Sequence, residues 1–186
     1  YVNPLIAWAT EREAIRKRRV AGQPAPWTDD LIFQKYRFCN LRRRDDKVSQ
    51  WLIGNVLSQR HIGFSDWTFL QFTALCRWIN WPPTLSAMTE AGLWPKRTEF
   101  DWDKIAKFID LRCQSEKAWT GAYMVRAAPK HQYGKDIGKG EFVARIVVGE
   151  GMEGVKKKLF QALNLHSAEA VWRVLHSIPN WGSFMA

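Results

Sequence analysis

The sequence predicts an all-α protein, on three observations. Apolar residues recur at helical spacing in segment after segment. Each segment is bounded by capping residues or by Gly and Pro. Strand signals are nearly absent, and no repeat with a period of 20 to 50 residues appears.

The elements follow in order. Pro4 opens the first helix, where its missing N–H costs nothing. Leu5, Trp8 and Ile15 form its apolar side; Glu11, Arg12, Arg16, Lys17, Arg18 and Arg19 form the charged one, and Gly22 and Pro24 end it. Residues 24–30 are a turn-rich connector in which Thr28, Asp29 or Asp30 caps the next helix. That second helix is expected to run through Tyr36–Gln50 to Leu57, with a break near Asp45, and to leave at Gly63. Ser65 and Asp66 cap a helix from Trp67 to Asn80, stopped by Trp81-Pro82-Pro83. A short helix spans Thr84 to Gly92. Asp101 to Gln114 is amphipathic through Trp102, Ile105, Phe108, Ile109 and Leu111. Residues 120–126 read as a short strand or a helix start. Ala128 to Glu141, with Pro129, three glycines and several lysines, reads as a mobile loop. Helices follow over Phe142–Val148, Val155–Leu163 and Ala168–Leu175. The sequence closes on Ile178-Pro179-Asn180-Trp181-Gly182-Ser183, a tight hairpin leading into another helix.

Composition bounds the function. With 46% hydrophobic and 25% charged residues, the 186-residue chain is globular, and it is read as one helical domain over 1–186. A net charge of +10 favours a polyanionic partner, nucleic acid first, while the eleven tryptophans are either packing anchors, the reading that covers most of them, or flat surfaces for stacking bases. No apolar run approaches the roughly 20 residues that span a bilayer, so no membrane partner is expected. Three widely spaced cysteines give neither a disulfide framework nor a zinc site and fit a cytoplasmic setting. His61, His131, His166 and His176 lack metal-ligand spacing, so no metal and no cofactor is expected. There is no Gly-x-x-x-x-Gly-Lys-Ser/Thr, so the chain is not itself a P-loop kinase.

Two stretches carry candidate chemistry. On a wheel of 100° per residue, Phe33, Arg37, Asn40, Arg44, Val48, Trp51 and Asn55 share a stripe. Arginines and asparagines on an apolar stripe need partners. They form either a pocket, with aromatics holding a base and Arg37, Arg44 and Asn40 meeting an anionic group, or an ion-pair network with Asp45, Asp46 or Glu11. The closing hairpin reads as the start of a helix-hairpin-helix element over 178–186, whose backbone N–H groups hold a DNA phosphate, or as an ordinary αα-turn. Asn180 replaces its first glycine and tolerates the left-handed conformation; Trp181 fills the apolar position and Gly182 the second glycine. Lys156, Lys157 and Lys158 add a basic patch.

Glu11-Arg12, Pro26-Trp27-Thr28-Asp29-Asp30, Tyr36-Arg37-Phe38-Cys39-Asn40, Asp45 to Gln50, Thr120-Gly121-Ala122-Tyr123 and the closing hairpin together resemble a known family over nearly the whole chain. It is the phage and bacterial thymine-hypermodification family, the α-glutamyl/putrescinyl thymine pyrophosphorylases or amino acid:DNA transferases. The same module is similar to the helical domain attached to 5-hydroxymethyluracil DNA kinases. The resemblance implies a helix-hairpin-helix, DNA glycosylase-like fold. It also implies a transferase acting on double-stranded DNA in a bacterial or phage-infected cell. An amino acid or polyamine would displace phosphate or pyrophosphate from phosphorylated 5-hydroxymethyluracil, with a DNA kinase as partner.

Under that implication the catalytic set is Arg37, Asn40, Arg44, Asp45, Asp46 and Glu11. Arginines neutralise the leaving group and acids receive the amine. Tyr36, Phe38 and Tyr123 flank an extruded base. Arg42, Arg43, Lys156, Lys157, Lys158, Asn180, Trp181, Gly182 and Ser183 contact the backbone. The acid that follows the hairpin in such folds is expected beyond Ala186, so the C-terminal helices are expected to be missing from 1–186. A non-catalytic DNA-binding domain of a kinase system and a glycosylase are the alternative readings.

Overall fold

The computed structural model describes residues 3–36, 38–57, 65–94, 99–121, 128–133 and 137–182. They form helices and turns, with no strand among the described residues. The order is α1 (Pro4–Val20), α2 (Leu31–Lys35), a 3-10 turn (Arg43–Asp45), α3 (Lys47–Asn55), α4 (Asp66–Ile79), α5 (Pro82–Glu90), α6 (Trp102–Ser115) and α7 (Lys130–Tyr133). A π-helix (Glu141–Glu150) runs into α8 (Gly151–Glu153), followed by α9 (Lys156–Asn164) and α10 (Ala168–His176).

Contacts divide the chain into two units, residues 1–53 and 54–186. Unit 1 begins with α1, capped by Asn3, whose Oδ1 accepts the Leu5 N–H at 2.9 Å. Asp30 caps α2 by accepting the Ile32 and Phe33 N–H groups at 2.7 and 3.3 Å. Thr28 Oγ1 in turn accepts from Asp30 N at 3.1 Å. The expected long second helix is not there. α2 ends at Lys35, Tyr36 is extended, and α3 starts only at Lys47. The wheel that put Arg37, Asn40 and Arg44 on one helical stripe therefore does not apply. The physical reason is Arg12 of α1. It takes two backbone carbonyls of the intervening segment, which an unbroken helix would have kept for its own N–H groups.

Unit 2 is built on hydrocarbon packing. Phe72, Leu75 and Ile79 of α4, Leu85 and Met88 of α5, and Ile105 and Ile109 of α6 are buried. So are Phe142, Val143, Val147 and Val148 of the π-helix. α6 packs chiefly on the π-helix, α9 on α10, and α4 on the π-helix. Buried residues recur at i, i+5 along the π-helix (Phe142/Val147, Val143/Val148, Ala144/Gly149), and Gly151 N–H reaches back five residues to Ile146 O. Helical periodicity predicts a helix over Phe142–Val148 but not its wider winding.

The stretch 128–141, expected to be a loop, holds α7 and is pinned where it enters the π-helix. Asp110 on α6 accepts Gly140 N–H at 2.6 Å and Glu141 N–H at 3.2 Å. A Cβ at Gly140 would overlap the Ala106 carbonyl, so glycine permits the close approach of the two helices. The expected strand or helix start over 120–126 falls largely outside the described residues.

Candidate functional site

Unit 1 is organised by one buried cation. Arg12 is 6% exposed. Its Nε donates to Cys39 O at 3.0 Å, and Nη2 donates to Phe38 O and to Asn40 Oδ1, each at 3.0 Å. The amide of Asn40 passes the link on, donating to Asp45 O at 2.8 Å and to Asp46 Oδ1 at 3.4 Å. Asp46 also accepts from Arg43 Nη1 at 2.8 Å. A second tie joins α1 to the 3-10 turn. Arg16 pairs bidentately with Glu13 at 2.7 and 2.8 Å and lies 3.5 Å from Asp45 Oδ2. Burial, followed by the nearby Arg19, lowers the Arg12 pKa. Hydrogen bonding from Arg16 holds the Glu13 carboxyl down to about 2.

This clamp holds Phe38 in an aromatic cluster. Phe33 and Phe38 meet edge-on at 5.0 Å, and Trp8 lies 6.0 Å from Phe38 and 6.3 Å from Phe33. Two cavities open beside the cluster, sharing Trp27 and Phe33 as walls. The larger, of about 870 Å³, carries Glu11, Asp29 and Asp30 with Trp8 and Arg18. Arg18 donates to Glu11 at 3.3 Å and also to the Trp27 carbonyl. The smaller, of about 490 Å³, is lined by Arg12, Arg19, Gln34, Tyr36 and Phe38 with no carboxylate. One cavity is thus acidic and aromatic, the other cationic and aromatic.

The predicted site residues disperse accordingly. Asn40 has both ends of its amide engaged within unit 1. Asp45 and Asp46 belong to the ion-pair network, and Glu11 faces the acidic cavity. Arg44 is exposed; its backbone carbonyl accepts Gln50 Nε2 at 2.6 Å. Arg42 is exposed, and Arg43 is exposed but paired with Asp46. Tyr36 and Phe38 do come together, on the cationic cavity. Arg37, Tyr123 and Ser183 lie outside the described residues. Arg12, Arg19, Trp27 and Gln34 join Tyr36 and Phe38 on the cationic cavity, although no sequence motif marks these four as site residues. Arg12 had one signal: it falls at i+4 from Trp8 and i−3 from Ile15, on the buried stripe of α1.

In unit 2 the tight turn of the closing stretch is formed, and the helix expected after it lies outside the described residues. Pro179 and Asn180 are the central residues of a turn closed by Trp181 N–H to Ile178 O at 3.0 Å, with Asn180 at φ 72°. Trp181 is turned inward, 6% exposed, donating Nε1–H to Val147 O at 3.2 Å and meeting Trp78 edge-on at 6.0 Å. Its contribution is to anchor the turn; Asn180 and Gly182 stay exposed. Lys156 pairs with Glu153 at 3.1 Å and lies 4.9 Å from the Trp67 ring, while Lys157 and Lys158 are exposed. Among the described residues no group of His, Cys, Asp and Glu is placed to hold a metal. Among them, too, no helix is long and apolar enough to cross a membrane.

Fold and site define a basic, all-helical module that joins an arginine-clamped aromatic unit to a hydrocarbon-cored one. The family model described as "5-hmdU DNA kinase, helical domain" matches residues 1–186, and the chain belongs to that family. A 5-hmdU DNA kinase of Bacillus phage SP10 is 35% identical over 118 residues. That match covers 62% of this chain and 18% of the phage protein, so the chain corresponds to a minor part of that relative. No solved structure matches at a significant level.

Proposed function

We propose that this chain is a DNA-binding helical module of thymine hypermodification, holding DNA that carries 5-hydroxymethyluracil for a kinase in the same pathway. The observation that carries the reading is the cationic cavity of Arg12, Arg19, Tyr36 and Phe38, in a chain of net charge +10 that belongs to the kinase helical-domain family. Aromatic faces take a base and arginines take phosphates. The chain has no P-loop sequence, so phosphoryl transfer falls to another domain or chain. In this reading the fold is helix-hairpin-helix, glycosylase-like. Within unit 2 the exposed Asn180, Gly182, Lys157 and Lys158, and within unit 1 the exposed Arg42 and Arg44, each offer the DNA backbone contacts that do not read sequence. The setting is the cytoplasm of a phage-infected bacterium.

The test is fluorescence anisotropy on matched duplexes carrying either thymine or 5-hydroxymethyluracil. Binding to both, tighter to the modified duplex and weakening steeply with salt, is expected. Absence of binding to either at low salt sinks the reading.

A second reading has its own support. Glu11, Asp29 and Asp30 line an aromatic-walled cavity that suits a cationic amine. This favours an amino acid:DNA transferase that displaces phosphate from phosphorylated 5-hydroxymethyluracil. Incubation with phosphorylated 5-hydroxymethyluracil DNA and an amino acid or polyamine, followed by digestion to nucleosides, tests it. An amino-alkylated thymidine supports transfer, unchanged DNA leaves the binding module, and a free base indicates a glycosylase.

A further inference from the structure

The cationic cavity of unit 1 has features that duplex DNA does not use. Its rings are held rigidly. Trp27 Nε1–H is fixed on Gln23 O at 2.7 Å, and Phe38 is wedged against Phe33 and Trp8. Cations lie against its aromatic faces: Arg19 is 5.1 Å from the Trp27 ring centroid and Lys35 is 5.4 Å from that of Tyr36. Tyr36 is 55% exposed at the rim. Arg12 supplies the floor, and its Nη1 donates to no described residue. The volume of about 490 Å³ lies within the ~300–1,000 Å³ typical of small-ligand sites, room for a nucleotide. Across the shared Trp27 and Phe33, the acidic cavity repels phosphate, so a polyanion is confined to the cationic side.

A base inside a duplex is stacked on both faces by its neighbours and offers a protein only its groove edges. An aromatic wall interleaved with cations suits unpaired nucleotides, whose ring faces are free while their phosphates stay within reach of arginine and lysine. We propose that the Arg19–Trp27–Tyr36–Phe38 groove binds single-stranded DNA, so that the module engages an unpaired stretch in preference to intact duplex. This rests on the DNA-binding reading and narrows it to the state of the strand.

The test compares the full chain binding a fluorescent oligothymidylate of about twelve nucleotides with its binding to a hairpin duplex of equal phosphate count. At matched salt the single strand binds about tenfold tighter or more. Tyr36→Ala loses about tenfold on the single strand and nothing on the duplex, whereas Tyr36→Phe, which keeps the stacking face, binds as the parent does. Arg19→Ala flattens the single-strand salt slope by about 0.7. Both side chains are exposed, and an unchanged melting curve verifies that the variants fold. Equal binding of both DNAs, or Tyr36→Ala and Arg19→Ala variants that bind the single strand like the parent, overturns the groove while leaving the DNA-binding reading intact. Binding to neither DNA overturns both.

Discussion

The two units are stabilised by different physics. Unit 1 buries only Ile15 and Val48 among apolar side chains of the described residues, and beside them two polar ones, Arg12 and Thr28. Unit 2 buries a large set of apolar side chains, from Val56 to Trp181. Hydrocarbon packing is non-directional and scales with area. A guanidinium holding three acceptors is directional and depends on every partner staying in place. Unit 1 therefore gains a shaped, charged surface from few residues, at the cost of depending on a few directional ties, Arg12 first among them. Unit 2 gains redundancy and a firm seat for the Pro179-Asn180 turn.

That contrast can be broken from either side. The largest effect is expected for Phe142→Ala, which empties a fully buried site in unit 2. A loss of about 3–5 kcal/mol in chemical denaturation is expected. Next comes Arg12→Ala, which strands the Phe38 and Cys39 carbonyls and the Asn40 amide. We expect about 2–4 kcal/mol, concentrated in unit 1. Hydrogen exchange should accelerate across residues 1–53 while the amides of α4 and α6 keep their protection. Arg12→Lys keeps the charge without the planar fork and should recover less than half of the loss. Uniform acceleration in both units would show that the clamp is not specific to unit 1.

A smaller effect sharpens the hairpin. Asn180→Ala places a Cβ-bearing residue without a helpful amide at φ 72° and should cost about 1 kcal/mol. Asn180→Gly should be neutral within a few tenths by thermal melting. The smallest is the acid response of α1. The Glu13 pKa is lowered from 4.5 to about 2, so its contribution is complete above pH 4.5 and is lost as pH falls toward 2. The Glu13 carboxyl shift followed by NMR should titrate near 2. In Arg16→Met it should titrate near 4.5, and the corresponding part of the acid-stability slope should vanish.

Much of this was legible in the chain. Pro4, Asp30, Ser65 and Asn180 act locally, through a fixed φ, a short side-chain acceptor or tolerance of positive φ, so caps and turns could be read in place. Helical periodicity in α4 and α6 was equally plain, because one face of each is buried along its length. The family resemblance also rested on residue blocks alone, and the family model bears out its link to the kinase helical domain.

Tertiary structure decided the rest. No local signal tells that Arg12 will take the carbonyls of Phe38 and Cys39, some 26 residues away, and so end α2 at Lys35. Helix periodicity assumes that each carbonyl serves its own helix, and a buried guanidinium overrides that assumption. The same long-range choice takes Asn40 off the expected helical stripe and ties its amide to Arg12 and Asp45. It also made a cationic cavity of Arg12, Arg19, Trp27, Tyr36 and Phe38, residues that no spacing rule groups. The sequence determined most of the helices, the charge and the tight turn at Pro179-Asn180 because those follow from neighbours in the chain. Which polar groups remain open to a ligand depends on which others the fold has already paired, and only three-dimensional proximity sets that.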